Sequence, residues 1–243
     1  MSLDPGQLVR AKNLSKKFYA LSPSGRSAAL SDIVLETLLF KPSLRHAPSA
    51  FTWPLKNVSF EISRGESVLL TGLERSGKTP IFNLLCGLYE PDEGTLELNG
   101  KISILSSNAT LFHPRRSILE NCFLMASVFG LSKTDTQKKL DSIFELSGPL
   151  PPDSSTMGLL SHHEIWMRLA VSIFLHAELD LYLLDETMLG GSPEYLARIG
   201  HKLKEIKIKG GSIFTITHEP QNLKNYFDRT LRIEGGVLTE VSV

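Results

Sequence analysis

Hydrophobic positions along this chain follow two alternating rhythms. Short apolar runs with no polar face, at Val68-Leu69-Leu70, Leu179 to Leu184 and Ser212 to Thr217, predict strands buried on both sides. Helical spacing separates them. Ile81, Leu84 and Leu85 share one face, and a helical stretch over 117–147 divides into Ile118 to Phe129 and Asp135 to Leu146, with Leu140, Ile143 and Phe144 aligned. Further helices are predicted over 162–175 and about 193–208. Residues 8–20 read as a strand ending in the aromatic pair Phe18-Tyr19, and 55–71 hold two strands around Arg64-Gly65. Two more strands in 95–106 flank Asn99-Gly100, a hairpin-type turn, and 227–242 read as a terminal hairpin around Gly235-Gly236. Residues 21–54 break the rhythm with Pro23, Gly25, Pro42, Pro48 and Pro54, yet enclose an amphipathic helix over 28–40. Residues 148–160 read as a loop, and no internal repeat is present. Strands alternating with helices predict an α/β fold with a mostly parallel sheet.

One junction carries chemistry. After the buried run at 68–70 comes Gly72-Leu73-Glu74-Arg75-Ser76-Gly77-Lys78-Thr79, which matches G-x-x-x-x-G-K-[ST] between a strand and a helix. Backbone N–H groups must approach phosphate oxygens closely there, so Gly72 and Gly77 leave out side chains that would block them. The helix N-terminus adds partial positive charge. In this motif Lys78 reaches the β- and γ-phosphates and Thr79 Oγ binds Mg²⁺. A chance match in a chain this long has odds of roughly one in a hundred at ordinary glycine frequency. Two details depart from the usual loop. Arg75 stands where many such loops have glycine, and Pro80 lacks an N–H, although proline is tolerated in a helix's first turn.

Composition narrows the class. Lys plus Arg and Asp plus Glu are 26 each in 243 residues, so the formal net charge is zero, without the basic excess of a nucleic-acid binder. Hydrophobic content of 42% and charged content of 21% fit a globular chain. No apolar run is long enough to span a bilayer, and the first residues lack the apolar core of a secretory signal. Cys86 and Cys122, in no metal or redox spacing, fit a reducing cytosol.

Taken in order, the elements resemble the nucleotide-binding subunit of ATP-binding-cassette (ABC) transporters over essentially the whole chain. Pro91-Asp-Glu-Gly-Thr-Leu-Glu-Leu-Asn-Gly100 is similar to the link after that family's first helix, and Leu181-Tyr-Leu-Leu-Asp-Glu186 to its Walker B strand. The resemblance implies a P-loop NTPase fold of ABC type over 1–243, with a mostly parallel core sheet, an antiparallel β subdomain and an inserted helical lobe over about 107–175. It also implies ATP and Mg²⁺, with Asp185 holding the ion through water and Glu186 polarising the attacking water. His218 would sense the γ-phosphate, with Lys78 stabilising its charge, and Phe18, or failing that Tyr19, would stack on adenine. A narrower similarity, through Gly100 to Pro114, Ile118-Leu-Glu-Asn121, Gly130-Leu-Ser132 and Trp166-Met-Arg-Leu-Ala170, points to the cassettes that export O-antigen, capsule and teichoic-acid polysaccharides. That subfamily also has an extra helix at the place of the 21–54 insertion, before a segment like Phe51 to Phe60. Some members have a C-terminal carbohydrate-binding domain, which these 243 residues are not expected to contain.

The family's sites are shared between two subunits, and the half offered to the opposite subunit departs from the pattern. At the signature loop, Ser161-His-His-Glu-Ile165 replaces glycines with His163 and Glu164, a carboxylate near the partner's γ-phosphate. At an effective dielectric of ~20, two unit charges 4 Å apart interact by about 4 kcal/mol. The Q-loop position, a weak metal contact, is Ser107, and the D-loop position, normally Asp, is Ser192. His162-His163-Glu164 makes a poor metal site, because adjacent helical residues diverge by about 100°. His46, His113 and His201 read as surface residues.

Two readings follow. In the first, the chain is an ATP-hydrolysing subunit of a polysaccharide exporter. It works as a homodimer, or a heterodimer with another ABC ATPase, on an integral-membrane permease at the inner face of the cell membrane. Helix 28–40 and the Q-loop region would touch that permease. In the second, it binds ATP but turns over weakly or not at all, as a regulatory partner in a heterodimer. A small-molecule kinase fits less well, given the helical lobe and His218.

Overall fold

The structure, a computed structural model, describes residues 3–19, 51–106, 112–113, 115–149, 163–185, 189, 191–218 and 224–241. The predicted helix at 28–40, most of the 148–160 loop, Ser107 and Glu186 lie outside the described residues. In chain order, strands β1 (Gln7–Tyr19), β2 (Phe51–Ser63) and β3 (Ser67–Thr71) lead to helix α1 (Lys78–Leu85). Strands β4 (Glu93–Leu98) and β5 (Ile102–Leu105) precede helices α2 (Ile118–Val128), α3 (Lys133–Ser147) and α4 (His163–Leu175). Then come β6 (Leu181–Asp185), α5 (Pro193–Ile208), β7 (Ser212–Thr217), a 3₁₀ turn (Lys224–Tyr226), β8 (Arg229–Glu234) and β9 (Val237–Val241).

The strands form two sheets. A six-stranded sheet has the order β5-β6-β7-β3-β8-β9, in which only β9 runs antiparallel to its neighbour. A three-stranded antiparallel sheet has the order β2-β1-β4. The apolar runs lack a polar face because both faces of the large sheet are covered. Val68, Leu70, Leu181, Leu183, Phe214 and Ile216 pack with α1 and the small sheet, while Leu69, Tyr182, Leu184 and Ile213 pack with α2 to α5. Each such aliphatic or aromatic side chain taken fully out of water contributes about 1.5–3 kcal/mol.

Local chemistry sets the helix boundaries. Ser117 and Glu120 form a reciprocal capping box at the start of α2. The side-chain oxygens of Ser132 and Ser192 accept from the backbone N–H groups of Asp135 and Tyr195, which starts α3 and α5.

The Asn99-Gly100 turn departs from its hairpin reading. β4 pairs with β1 in the small sheet and β5 pairs with β6 in the large one, so the turn carries the chain between sheets. It is held by Asp180 at the start of β6, whose Oδ2 accepts from Lys101 N–H at 2.6 Å. The predicted terminal hairpin is present as β8–β9.

His176 follows α4, buried to 7% exposure, with its Nδ1–H donating to the Ser172 carbonyl at 2.6 Å. Burial lowers its pKa from the usual 6.5 to about 4, because charging the ring would strand a cation away from water. Between those values the unfolded chain binds the extra proton, so stability is full above pH 6.5 and falls as pH drops toward 4. The expected loss is about 3 kcal/mol. Urea midpoints measured from pH 7 to pH 4.5 should fall, and His176→Asn should flatten that slope; an equal slope in both chains would contradict it.

Candidate functional site

The register of three parallel strands assembles the site. Thr71 at the end of β3 pairs with Thr217 at the end of β7, and Asp185 at the end of β6 pairs with Ile216. Neighbouring strands lie about 4.8 Å apart. The loop after β3, the Asp185 carboxylate and His218 after β7 therefore share one edge of the sheet. α1 begins at Lys78, so the loop at 72–77 opens onto a helix N-terminus, as the motif requires.

The loop is packed hard against its surroundings. Gly77 has φ +116°, and a Cβ there would meet the Pro54 carbonyl oxygen at 2.5 Å and Ile233 Cδ1 at 2.7 Å. A Cβ on Gly72 would meet the Ile233 carbonyl oxygen at 2.4 Å. Arg75 lies at φ +59°, in the left-handed region, which explains why glycine is common at this position. Leu73, Glu74 and Arg75 are exposed along the crest, while Ser76, Gly77 and Lys78 are buried beneath it. Exposed Thr79 and half-buried Pro80 occupy the first turn of α1. Pro80 ends no hydrogen-bonded turn, since Ile81 N–H still reaches the Gly77 carbonyl at 3.3 Å.

Lys78 is 5% exposed. Its ammonium donates to the carbonyls of Gly72 at 2.5 Å and Leu73 at 2.7 Å, and lies 3.1 Å from His218 Nδ1. Two residues 140 positions apart in sequence thus meet at hydrogen-bond distance. Ser76 Oγ is buried without a hydrogen-bond partner among the described residues. A buried cation, a buried hydroxyl able to donate and a helix N-terminus form a donor set suited to phosphate oxygens.

The other predicted residues fall in different places. Phe18 is half-buried, its ring edge-on to Tyr89 at 5.3 Å between centroids. Lys16 Nζ sits 5.9 Å from the Phe18 ring and 5.8 Å from the Tyr89 ring, and is itself bound by the Glu90 carbonyl at 2.8 Å. Tyr89, which the sequence reading passed over, is thus part of the aromatic pair; its only sequence signal is its position just beyond α1. Glu164, in the first turn of α4, is exposed and ion-paired with Arg168 one turn on. Ser192 is the N-cap of α5. Among the described residues no group of three or more His, Cys, Asp or Glu side chains is gathered as metal ligands, and no helix is long and apolar enough to cross a membrane. Burial pushes the thiols of Cys86 and Cys122 up to about 12, so both stay protonated at neutral pH.

Comparison with known proteins gives concordant findings. The family model described as ABC transporter matches residues 55–189. The chain is 27% identical over 237 residues to the O-antigen export system ATP-binding protein RfbB of Myxococcus xanthus, covering 95% of this chain and 52% of that protein. It is 30% identical over 234 residues to the teichoic acids export ATP-binding protein TagH of Lactococcus lactis, covering 94% of this chain and 47% of that one. The chain thus spans about half the length of these two relatives. Among solved structures, a dimeric post-hydrolysis ATP-binding cassette bound to ADP and Pi superposes with a TM-score of 0.71 at 16% identity, covering 97% of this chain and 100% of that one. An ATP-binding subunit of an ABC transporter gives 0.70 at 22% identity, over 97% and 90% of the two chains. At these identities the structural matches establish the fold: a P-loop NTPase core with an antiparallel sheet and helices added.

The packing of Gly77 can be tested directly. Gly77→Ala should destabilise the chain by about 1–3 kcal/mol through backbone strain and overpacking. Gly6→Ala, where a Cβ meets nothing within 4 Å, should change stability by under about 0.5 kcal/mol. Denaturant midpoints of the two variants measure the difference; equal midpoints would refute the packing account.

Proposed function

The chain belongs to the ABC transporter family, and from that premise we propose that it is an ATP-binding, ATP-hydrolysing subunit that energises export of a polysaccharide or glycoconjugate. The substrate class follows the names of its relatives, which export O-antigen and teichoic acids. Residues 1–243 would form one nucleotide-binding domain, with a family-type insertion at 21–54 and a helical lobe over about 107–175. It would act as a dimer on an integral-membrane permease, at the inner face of the cell membrane.

The observation that carries the reading is the meeting of Lys78 and His218 at 3.1 Å on the sheet edge where β6 also ends in Asp185. In the proposed reaction Gly72 to Gly77 and the first turn of α1 bind the phosphates of ATP. Lys78 exchanges its carbonyl partners for phosphate oxygens, and the cost of breaking those bonds is offset by charge-assisted ones. His218 contacts the γ-phosphate, so the β7 end reports which nucleotide is bound. Glu186 accepts the proton of the attacking water. Thr79 and Asp185 would hold Mg²⁺, with Ser107 a weak further contact; the ion supplies neutralisation of phosphate charge. Phe18 would stack on the adenine.

One observation favours a second reading, in which the chain binds ATP in a heterodimer but turns over weakly. Glu164 stands in the first turn of α4, where its carboxylate already occupies the positive end of the helix dipole. Its ion pair with the largely buried Arg168 leaves the Glu164 carboxylate itself exposed. A partner's γ-phosphate approaching this helix end would meet like charge.

One measurement tests the nucleotide assignment that both readings share, and a second separates them. Lys78→Ala should weaken ATP binding by about a hundredfold or more in equilibrium titration, and an unchanged dissociation constant would end the nucleotide assignment. Glu186→Gln should lower steady-state turnover of the isolated chain by about a hundredfold or more. Native turnover no higher than that of Glu186→Gln would select the non-hydrolysing partner instead.

A further inference from the structure

At the sheet edge opposite the phosphate loop, where β6 and β7 begin, lies a cleft of about 990 Å³. It runs between α3 and α5, over an apolar floor that includes Leu175, Tyr182 and Ile206. α5 and the residue after it supply one wall with Arg198, His201, Lys202, Glu205 and Lys209, the spacing of a single helical face. Nothing in the nucleotide reading uses these residues.

The charges on that wall are unbalanced. Lys202 and Lys209 share one carboxylate, with Nζ to Glu205 distances of 3.2 Å and 2.5 Å. Arg198 has no ion pair among the described residues, and its Nε is buried without a hydrogen-bond partner there. On this wall three cations thus face one carboxylate. The rest of the lining adds the cation of Lys101 and, against it, the carboxylate of Glu145, so the excess of cations remains. Lys139 of α3 is occupied with the carbonyl of His176 at 3.1 Å and with Glu178 at 2.9 Å, a capping role at the end of α4. Asp180 is held by Arg64 and by the backbone of Lys101. Glu145, on the α3 wall, lies across the cleft. Lys202 shows the strain of this arrangement: burial, together with nearby Lys209 and Lys139, lowers its pKa despite Glu205. A bound anion would relieve it. His176 adds a neutral ring whose Nδ1–H is spoken for, leaving Nε2 as an acceptor for a ligand hydroxyl.

We infer that this cleft is a second ligand site, which binds a small phosphate-bearing molecule across Arg198, Lys202 and Lys209. The phosphate comes from a free metabolite or a lipid headgroup, which share this chemistry. The site does not depend on the nucleotide assignment, and the two can fail separately.

Inorganic pyrophosphate, titrated calorimetrically into the full chain, is the probe. The expected result is binding that persists in Lys78→Ala and weakens about tenfold in Lys202→Met and several-fold in Lys209→Met. ATP affinity should be unchanged in both lysine variants. Lys209 is 72% exposed, so Lys209→Met keeps the test open if Lys202→Met fails to fold. Lys202→Arg should retain binding. Vesicles containing phosphatidic acid distinguish the sources: co-sedimentation that Lys209→Met reduces assigns a lipid headgroup, and pyrophosphate binding without co-sedimentation assigns a free phosphate. Pyrophosphate binding that vanishes in Lys78→Ala, or that is indifferent to both lysine variants, overturns the second site.

Discussion

The parallel register of β3 with β7 is the constraint from which the site follows. Thr71 stands beside Thr217, so the phosphate loop and His218 leave the sheet side by side. The register is fixed by burial on both faces. Val68 and Leu70 belong to one core and Leu69 to the other. A slip of one residue would exchange these faces, turning each side chain toward packing shaped for its neighbour. The geometry of the candidate site is in this sense a by-product of core packing: the apolar residues hold the strands, and the strands place the polar groups at their ends.

The same edge concentrates positive charge. Lys78 is buried at a helix N-terminus, where its ammonium meets the carbonyls of Gly72 and Leu73 and the His218 ring. Hydrogen bonds from a charged donor are stronger than neutral ones, and those in which the acceptor is charged as well are stronger still. Tight packing beneath Gly72 and Gly77 keeps this cradle from collapsing, because the loop has no room to sink further toward Ile233 and Pro54.

How much of this was legible from residue order depends on how local each feature is. The phosphate loop, the buried strands and the start of α2 at Ile118 rest on contacts within a few residues and are readable, while α3 begins at Lys133, two residues before the predicted Asp135, because Ser132 caps it. The Asn99-Gly100 turn misled for the complementary reason. A hairpin and a crossing between sheets need the same turn residues, and what decides is Asp180, 79 positions beyond Lys101. Tyr89 beside Phe18 and the cation wall around Lys202 were hidden in the same way. The cleft is lined from α3, the end of α4, the start of β6 and α5, and no single stretch of sequence shows that these converge.

The partner-facing positions show why fold and function can drift apart in such a chain. Ser192, where the family resemblance expects Asp, serves as the N-cap of α5, and serine and aspartate cap about equally well. Glu164 sits in the first turn of α4, where a carboxylate is favoured by the helix dipole, and pairs with Arg168. Both departures are therefore neutral or favourable for the subunit's own stability. Lys78 and His218, by contrast, meet in a part-buried contact that the fold and the nucleotide reading both use. Substitutions there are felt inside the subunit, whereas those at Glu164 and Ser192 are felt, in the proposed dimer, only by the opposite subunit. The local physics thus permits one half-site to change while the other is held.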